Sequence, residues 1–226
     1  MIRQIAAIFM ICLSLTGTGI SGVVSQTSLG GNLYLVNRTY RLTQAYAPDD
    51  LVTVNVKKAS GDVMMRKEAA LMLEGLFQAA KEEGHSLVAV SGYRSYSRQN
   101  AIYRRKITTT GSVEKAQLLV APPGSSEHQL GLAMDVARRS SENLNSAFGR
   151  SEEGKWLAEN APRFGFIIRY RTEWTGITGY ADEPWHIRYI GEGHARAIRL
   201  MDVPLETYVQ KLAEENFGAY LADVSK

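Results

Sequence analysis

Apolar residues recur at helical spacing in one long stretch of the chain, between about Met64 and Glu83. The residues of this stretch that share one helix face are Ala69, Leu73, Leu76, Phe77 and Ala80. A spacing of three and four positions is typical of a helix that buries one side against a core. Gly84 follows directly and is well placed to end the helix. The pattern therefore predicts an amphipathic helix over 64–83.

Shorter apolar runs along the rest of the chain predict strands, with helical segments between them. We expect strands at about 86–90, 130–136, 166–170 and 185–190, and helices at about 97–107, 112–119, 151–162, 192–201 and 204–215. Helices and strands follow one another without the regular alternation of a doubly wound sheet. The pattern therefore favours a single α+β domain in which helices flank a small antiparallel sheet.

The first 25 residues differ from the sequence that follows them. Arg3 provides a short positive start, an apolar run extends from Ile5 to Leu15, and small and turn-forming residues come next. This layout is typical of an export signal, and the apolar run is short for a membrane span. We predict a signal peptide or an uncleaved N-terminal anchor over 1–25, a linker over 26–36, the folded domain over 37–218 and a tail over 219–226.

Composition and charge narrow the possible classes of function. The 226 residues are 45% hydrophobic and 22% charged, which is typical of a globular protein with a core. The net charge of +3 is modest and the basic residues are scattered, which argues against a nucleic-acid partner. The one cysteine, Cys12, lies in the apolar run. Removal of a signal peptide would therefore exclude both disulfides and thiol catalysis.

Two stretches far apart in the sequence place histidine near carboxylate. The first contains His128 and Asp135, and the second contains Glu183 and His186. Two histidines and one aspartate are suitable ligands for Zn²⁺ that leave a fourth position open, and the remaining glutamate is available as a base. In an extended chain His128 and Asp135 would face opposite sides. We therefore expect a kink at Gly131 that brings both side chains into one surface cleft.

These stretches together resemble the zinc D-alanyl-D-alanine carboxypeptidases of the VanY type. The resemblance rests on Ser126-x-His128-x-x-Gly131-x-Ala133-x-Asp135, on Glu183-Pro184-Trp185-His186, and on Ser91-Gly92-Tyr93-Arg94-Ser95 with Gln99. It covers roughly residues 37–191, and the joint occurrence of three signatures is highly specific. It implies an enzyme that removes C-terminal D-alanine from peptidoglycan stem peptides. In that enzyme His128, Asp135 and His186 bind one zinc ion, and Glu183 is the general base.

Arg94 is the next candidate for the active site. A carboxypeptidase must meet a C-terminal carboxylate and must stabilise an oxyanion, and a guanidinium serves either purpose. The resemblance implies that Arg94 lies at the active site, and which anion it contacts stays open. Ser126, Gln99 and Tyr180 are candidates for substrate hydrogen bonds; the alternatives are a turn cap, a solvated helix residue and a packing residue, respectively. Glu127 is set aside, because in an extended segment its side chain would point away from the site.

The motifs serve several reactions equally well. A D,D-enzyme would cut D-Ala-D-Ala in pentapeptides, and an L,D-enzyme would release D-alanine from tetrapeptides. An endopeptidase with the same zinc site and a non-catalytic binder of wall peptides are the other candidates. In each case we expect an exported monomer in the cell wall or periplasm, in contact with a membrane only through a retained N-terminal segment. Whether residues 26–50 cover the cleft stays open.

Overall fold

The structure is a computed structural model that describes residues 31–139 and 144–224. The predicted signal peptide or anchor over 1–25 lies outside these residues. Within the described ranges, no helix is both long and apolar enough to cross a membrane.

Six strands and eight α-helices make up the described part of the chain. The strands are β1 (Leu51–Thr53), β2 (Met64–Arg66), β3 (Val88–Ser91), β4 (Ala133–Ala137), β5 (Phe166–Tyr170) and β6 (Glu183–Tyr189). The helices are α1 (Lys67–Glu82), α2 (Tyr96–Thr110), α3 (Val113–Leu119), α4 (Ala147–Arg150), α5 (Glu152–Asn160), α6 (Thr175–Thr178), α7 (Glu192–Met201) and α8 (Leu205–Val224). Short 3-10 turns cover Glu127–Leu130, Ala161–Phe164 and Thr172–Trp174.

The main sheet has four strands in the order β3-β4-β6-β5, and all its neighbouring strands are antiparallel. Strands β1 and β2 form a separate antiparallel pair. Antiparallel pairing with helices packed around the sheet confirms the predicted α+β class. The two central strands of the main sheet, β4 and β6, carry three of the four residues proposed for zinc chemistry.

Local sequence explains where several helices begin and end. The hydroxyl of Ser95 accepts a hydrogen bond from the backbone N–H of Arg98 at the start of α2, and Ser112 and Ser151 cap α3 and α5 in the same way. Side-chain caps of this kind satisfy backbone donors that the first helical turn leaves free. Helix α1 buries the face made by Ala69, Ala70, Leu73, Leu76, Phe77 and Ala80, as the apolar spacing predicts.

Three predicted boundaries of helices and strands are wrong. The predicted helix from Met64 begins at Lys67, because Met64–Arg66 pairs with Leu51–Thr53 as β2. The predicted strand from Leu130 begins at Ala133, because the residues before Gly131 form a 3-10 turn. The last helix also extends to Val224, beyond the predicted end near residue 215.

Two apolar clusters hold the elements together. The larger one packs helices α1 and α5 on the main sheet, and the smaller one packs α7 and α8 on the outer side of β5. Leu33 and Val36 are buried in the smaller and the larger cluster, respectively. Packing against the core therefore begins before residue 37, where the sequence places the start of the domain.

Candidate metal centre

The central strands of the sheet bring Asp135 and His186 side by side. Asp135 of β4 lies directly opposite His186 of β6 in the antiparallel register. Directly opposite residues project from the same face of a sheet with their Cβ atoms about 5 Å apart. The carboxylate Oδ1 of Asp135 lies 3.1 Å from Nδ1 of His186, and both side chains are buried. The pairing register therefore places two of the three candidate metal ligands, Asp135 and His186, next to each other.

The turn before β4 supplies His128. Residues Glu127–Leu130 form a 3-10 turn that ends at Gly131, whose φ of 69° lies in the left-handed region. A Cβ at this position would lie 2.9 Å from the Leu51 side chain, so glycine suits the site for both conformation and space. The predicted kink at Gly131 is confirmed. It brings Nε2 of His128 within 3.3 Å of Oδ2 of Asp135.

A second glycine fixes the orientation of the His128 ring. The carbonyl oxygen of Gly92 lies 2.7 Å from Nδ1 of His128. A Cβ on Gly92 would lie 2.2 Å from the carbonyl oxygen of Met64. Only glycine therefore allows the backbone at position 92 to pack this closely against the backbone of Met64. Because a carbonyl oxygen only accepts hydrogen bonds, Nδ1 carries the hydrogen and Nε2 presents a lone pair.

His128, Asp135 and His186 fit a metal ion. One donor atom from each residue lies within 4.8 Å of the others. Nε2 of His128 is buried without a hydrogen-bond partner, although it lies close to the carboxylate of Asp135. Burial, followed by the charge of Arg94, lowers the pKa of His128 to about 4, so the ring is neutral. A lone pair facing a carboxylate is repulsive, and a cation between the two removes that repulsion.

His186 has a different environment on each side of its ring. Its Nδ1 faces Asp135, and its Nε2 lies 3.4 Å from Oε2 of Glu127. Burial opposes the charged ring, but hydrogen bonds to Asp135 and Glu127 outweigh it and raise the pKa of His186 to about 9. The two carboxylates therefore favour positive charge at this position, which a bound cation would also supply. The set of one nitrogen from each histidine and one carboxylate oxygen is a typical set of zinc ligands.

Glu183 lies at the start of β6, beside the three candidate ligands. Its Oε2 is 3.9 Å from Nδ1 of His186. Burial raises the pKa of Glu183 to about 7, and the nearby charge of Asp135 adds to this effect. A carboxylate with this pKa both accepts and returns a proton near neutral pH, which is the property that general-base catalysis requires.

One pocket of about 270 Å³ contains all eight residues that the sequence singles out. The residues that line it include Arg94, Gln99, Ser126, His128, Asp135, Tyr180, Glu183 and His186. Arg94 is held next to the site because its backbone N–H donates to the carbonyl of His128. Nε of Arg94 is buried without a partner. The structure thus brings the predicted residues together, while their roles stay predictions.

The three weaker candidates differ in their surroundings. The side-chain N–H of Gln99 donates to the Ala121 carbonyl at 2.7 Å, and its Oε1 is buried with no partner. Gln99 is 1% exposed, so the alternative of a solvated helix residue is wrong. Ser126 makes no capping hydrogen bond, which removes the turn-cap alternative. The hydroxyl of Tyr180 is buried without a partner, although its ring also packs against Tyr170.

The N-terminal segment, residues 31–50, contacts one of the residues that line the pocket, Tyr180. The guanidinium of Arg38 lies 4.8 Å from the centre of the Tyr180 ring and donates to the carbonyls of Gln117 and Gly179. Among the described residues from 31 to 50, none lines the pocket. This segment therefore supports Tyr180 without covering the candidate ligands.

Glu127 is the residue that the sequence reasoning missed. The segment around it is a 3-10 turn, so its side chain points inward, and it is 1% exposed. Its carboxylate pairs with Arg169 and Arg188 and reaches the ring of His186. Arginines within the apolar strands Phe166–Tyr170 and Glu183–Tyr189 were an available signal, because a buried arginine needs a carboxylate partner.

Comparison with known proteins relates this arrangement to one family. The family model described as "VanY: D-alanyl-D-alanine carboxypeptidase" matches residues 62–192. YodJ of Bacillus subtilis (strain 168) is 47% identical over 185 residues, which cover 80% of this chain and 67% of YodJ. Across three curated relatives, the chain spans between 59% and 67% of their length.

Two solved structures share the fold. The structure of the LdcB LD-carboxypeptidase is similar with a TM-score of 0.73 and 47% identity, over 78% of this chain and 85% of that chain. The vancomycin-resistance D,D-pentapeptidase VanY, in complex with Zn(II), is similar with a TM-score of 0.66 and 34% identity, over 79% of this chain and 98% of that chain. Both similarities combine a shared fold with sequence identity above 30%.

Proposed function

The chain belongs to the VanY family of D-alanyl-D-alanine carboxypeptidases, and from this premise we propose that it removes the C-terminal D-alanine from peptidoglycan stem peptides. The observation that carries the proposal is the pocket in which two histidines and an aspartate converge beside Glu183 and Arg94. A hydrolase of this kind needs a metal site, a base and a cation for the substrate's anions. Residues suited to each of these three tasks line one pocket.

His128, Asp135 and His186 would hold one zinc ion, through Nε2 of His128, a carboxylate oxygen of Asp135 and Nδ1 of His186. Bound Zn²⁺ polarises a carbonyl and makes water acidic enough to ionise near neutral pH. The protein supports this chemistry by fixing both rings. Gly92 holds the hydrogen of His128 at Nδ1, and Glu127 faces Nε2 of His186.

Glu183 would move the proton that hydrolysis requires. The attacking water forms a bond to the scissile carbonyl carbon and gives its proton to the Glu183 carboxylate. Glu183 then returns the proton to the amide nitrogen, the carbon–nitrogen bond breaks, and D-alanine leaves as an amine. The burial that raises the pKa of Glu183 to about 7 suits both steps of this transfer.

Arg94 would meet the anions of the substrate. A guanidinium forms paired hydrogen bonds with a carboxylate, and it also stabilises negative charge that develops on a carbonyl oxygen. The buried Nε of Arg94, the amide oxygen of Gln99 and the hydroxyl of Tyr180 have no partner. Substrate groups would form hydrogen bonds with these atoms. Ser126, which is 3% exposed, would add a hydroxyl group to the lining of the same pocket.

The L,D-reaction, which releases D-alanine from a tetrapeptide, is the first to test. Identity is 47% to the LdcB LD-carboxypeptidase but 34% to the D,D-pentapeptidase VanY. The greater identity favours the tetrapeptide, while the candidate ligands and base serve a pentapeptide equally. Action on peptidoglycan, which lies outside the cytoplasm, supports an extracytoplasmic enzyme. Export through residues 1–25 and action as a monomer complete the proposal.

The direct experiment is to incubate the purified protein with synthetic tetrapeptide and pentapeptide stems and to identify the products by mass spectrometry. We expect loss of one C-terminal D-alanine, with faster release from the tetrapeptide, and no release after chelation. Cleavage within the stem would support an endopeptidase instead. Full zinc loading with no cleavage of any stem would support a non-catalytic binder.

A further inference from the structure

A buried ionic cluster lies directly behind the candidate metal centre. Its members are Glu127, Arg169, Arg188 and Glu206, of which the first three are at most 1% exposed. Nε of Arg169 and Nη1 of Arg188 both donate to Oε1 of Glu127 at 2.8 Å. The two outer nitrogens of Arg169 donate to the carboxylate of Glu206, in α8, at 2.9 and 2.6 Å.

Stability alone does not explain such a cluster. Removing charges from water costs several kcal/mol per ion, and buried ion pairs often contribute little more than apolar residues of the same size would. The sheet register gives a different reason for its position. His186 and Arg188 are two residues apart on β6 and project from the same face, so the cluster adjoins a candidate zinc ligand.

The two oxygens of Glu127 have separate tasks. Oε1 is held by the two arginines, which leaves Oε2 facing Nε2 of His186 at 3.4 Å. Glu127 is paired with two guanidinium groups, those of Arg169 and Arg188, and this pairing favours its ionised form. The ionised carboxylate can only accept hydrogen bonds. With a cation bound on the Nδ1 side, between His186 and Asp135, the one hydrogen of the His186 ring would therefore lie on Nε2 and face Glu127.

Arg188 itself is fixed on every side. Its Nη2 donates to the carbonyls of Asn32 and Tyr34 at 2.8 Å, and its Nε donates to the carbonyl of Tyr189 at 3.0 Å. Because every guanidinium nitrogen of Arg188 donates a hydrogen bond, Arg188 is fixed and holds Oε1 of Glu127 in one position. The orientation of Oε2 toward His186 follows from that restraint.

We propose that Glu127 is a positioning residue for the metal centre, which fixes the tautomer and ring orientation of His186 so that Nδ1 faces the metal. This inference rests on the proposed function for the choice of zinc. Groups that orient a ligating histidine through its second nitrogen contribute about 10- to 100-fold to metal affinity in other proteins. Glu206 affects His186 only indirectly, since it contacts Arg169 and not His186.

Substitution of Glu127 by glutamine tests the idea sharply. A glutamine has one acceptor oxygen, but Arg169, Arg188 and the Nε2–H of His186 together require acceptors on both sides. With the oxygen held by the arginines, the amide N–H groups would face the N–H of His186. We expect Glu127→Gln to weaken zinc binding by about 10- to 100-fold, measured by competition with a chromogenic chelator in the absence of substrate.

Glu206→Gln is the matched control, because it removes the same charge from the same cluster but leaves the group that faces His186 unchanged. We expect it to lower the urea midpoint of unfolding and to change zinc affinity less than threefold. Equal loss of zinc affinity in the two variants would make the cluster a structural element only. Wild-type zinc affinity in Glu127→Gln would also overturn the proposal.

A second measurement needs no variant, so it stands even if Glu127→Gln does not fold. In nitrogen-15 NMR spectra of the zinc-loaded wild-type protein, we expect His186 to bind the metal through Nδ1 and to keep a slowly exchanging hydrogen on Nε2. Metal on Nε2 would overturn the proposal. Because no measurement here uses substrate, a protein that binds zinc but cleaves no stem peptide would contradict the proposed function alone.

Discussion

The pocket face of the metal centre and the ionic cluster behind it differ in how their polar atoms are satisfied. In the pocket, buried polar atoms of Arg94, Gln99, His128 and Tyr180 have no hydrogen-bond partner. Behind it, every guanidinium nitrogen of Arg169 and Arg188 donates to a carboxylate or a carbonyl. The two regions meet at His186, which contacts Asp135 on one side and Glu127 on the other.

This difference indicates that the pocket, and not the ionic cluster, is the region that binds a ligand. A buried polar atom without a partner costs about 1–3 kcal/mol, so a fold keeps several together mainly where another molecule completes them. The saturated cluster has no such need and affects function only through the groups it holds. Substitutions in the pocket should therefore change activity more than stability. Substitutions in the cluster should lower stability, and substitution of Glu127, which faces His186, should lower metal affinity and activity as well.

The largest expected effect comes from Glu183→Gln. Loss of the general base should lower kcat by about 10²- to 10⁴-fold, while zinc content, measured by mass spectrometry of the metal, stays at one equivalent. Asp182→Asn is the matched control, since Asp182 is the adjacent carboxylate and also lines the pocket. Loss of zinc in Glu183→Gln, or an equal fall in the control, would mean that Glu183 is misassigned.

Arg94→Met should have the next largest effect. Removal of a cation that stabilises substrate and transition-state charge should lower kcat/KM by about 10²- to 10³-fold. The matched control is Arg98→Met, because Arg98 is exposed in the first turn of α2. Steady-state kinetics on the tetrapeptide give both values. An unchanged kcat/KM in Arg94→Met would leave the pocket without its anion-binding group and contradict the proposed mechanism.

Glu183 should also make the stability of the zinc-free protein depend on pH. Burial raises its pKa from 4.5 to about 7, with Asp135 and Asp182 adding to the rise and His186 and Arg94 opposing it. The stability that protonated Glu183 contributes is fully present below the unfolded pKa and is lost as the pH rises through the folded pKa. At about 1.4 kcal/mol per pKa unit, the loss is up to about 3 kcal/mol.

Urea unfolding of the chelated protein checks this prediction. Glutamine at position 183 does not titrate, so the stability advantage of Glu183→Gln over wild type should grow by up to about 3 kcal/mol between pH 4.5 and pH 8. A difference that stays constant across this range would show that Glu183 titrates normally in the folded protein.

Tyr180→Phe should have the smallest effect. Burial raises the pKa of Tyr180 to about 12, so its hydroxyl remains a donor. Loss of one substrate hydrogen bond should lower kcat/KM roughly fivefold, for about 1 kcal/mol. Because the hydroxyl makes no hydrogen bond of good geometry with the protein and has the Arg38 guanidinium beside it, the free energy of unfolding should fall by less than about 1 kcal/mol. A loss of stability without any change in kcat/KM would identify Tyr180 as a packing residue.

Elements with local signals could be predicted from the sequence. The strand over 166–170 and the helix over 192–201 occur where the pattern predicts them. Gly165 and Gly191, both at positive φ, mark their beginnings within the sequence itself. Strand β2 could not be found in this way, because three residues become a strand only by pairing with β1. Pairing between two such short segments does not produce a periodic pattern of apolar residues in either of them.

The site shows the same limit. His128, Asp135, Glu183 and His186 could be singled out by residue type and family motif. Glu127 could not, because its direction depends on the 3-10 turn before Gly131 and not on the extended chain that alternation assumes. Residue chemistry is readable in a sequence, whereas the side to which a residue points depends on the backbone conformation around it.

Anomalous diffraction at the zinc absorption edge, on crystals of the zinc-loaded protein, tests the central claim most directly. We predict one zinc peak in the pocket, about 2.0–2.2 Å from Nε2 of His128, a carboxylate oxygen of Asp135 and Nδ1 of His186. A pocket without a peak, or a peak bound without one of these three atoms, would contradict the account.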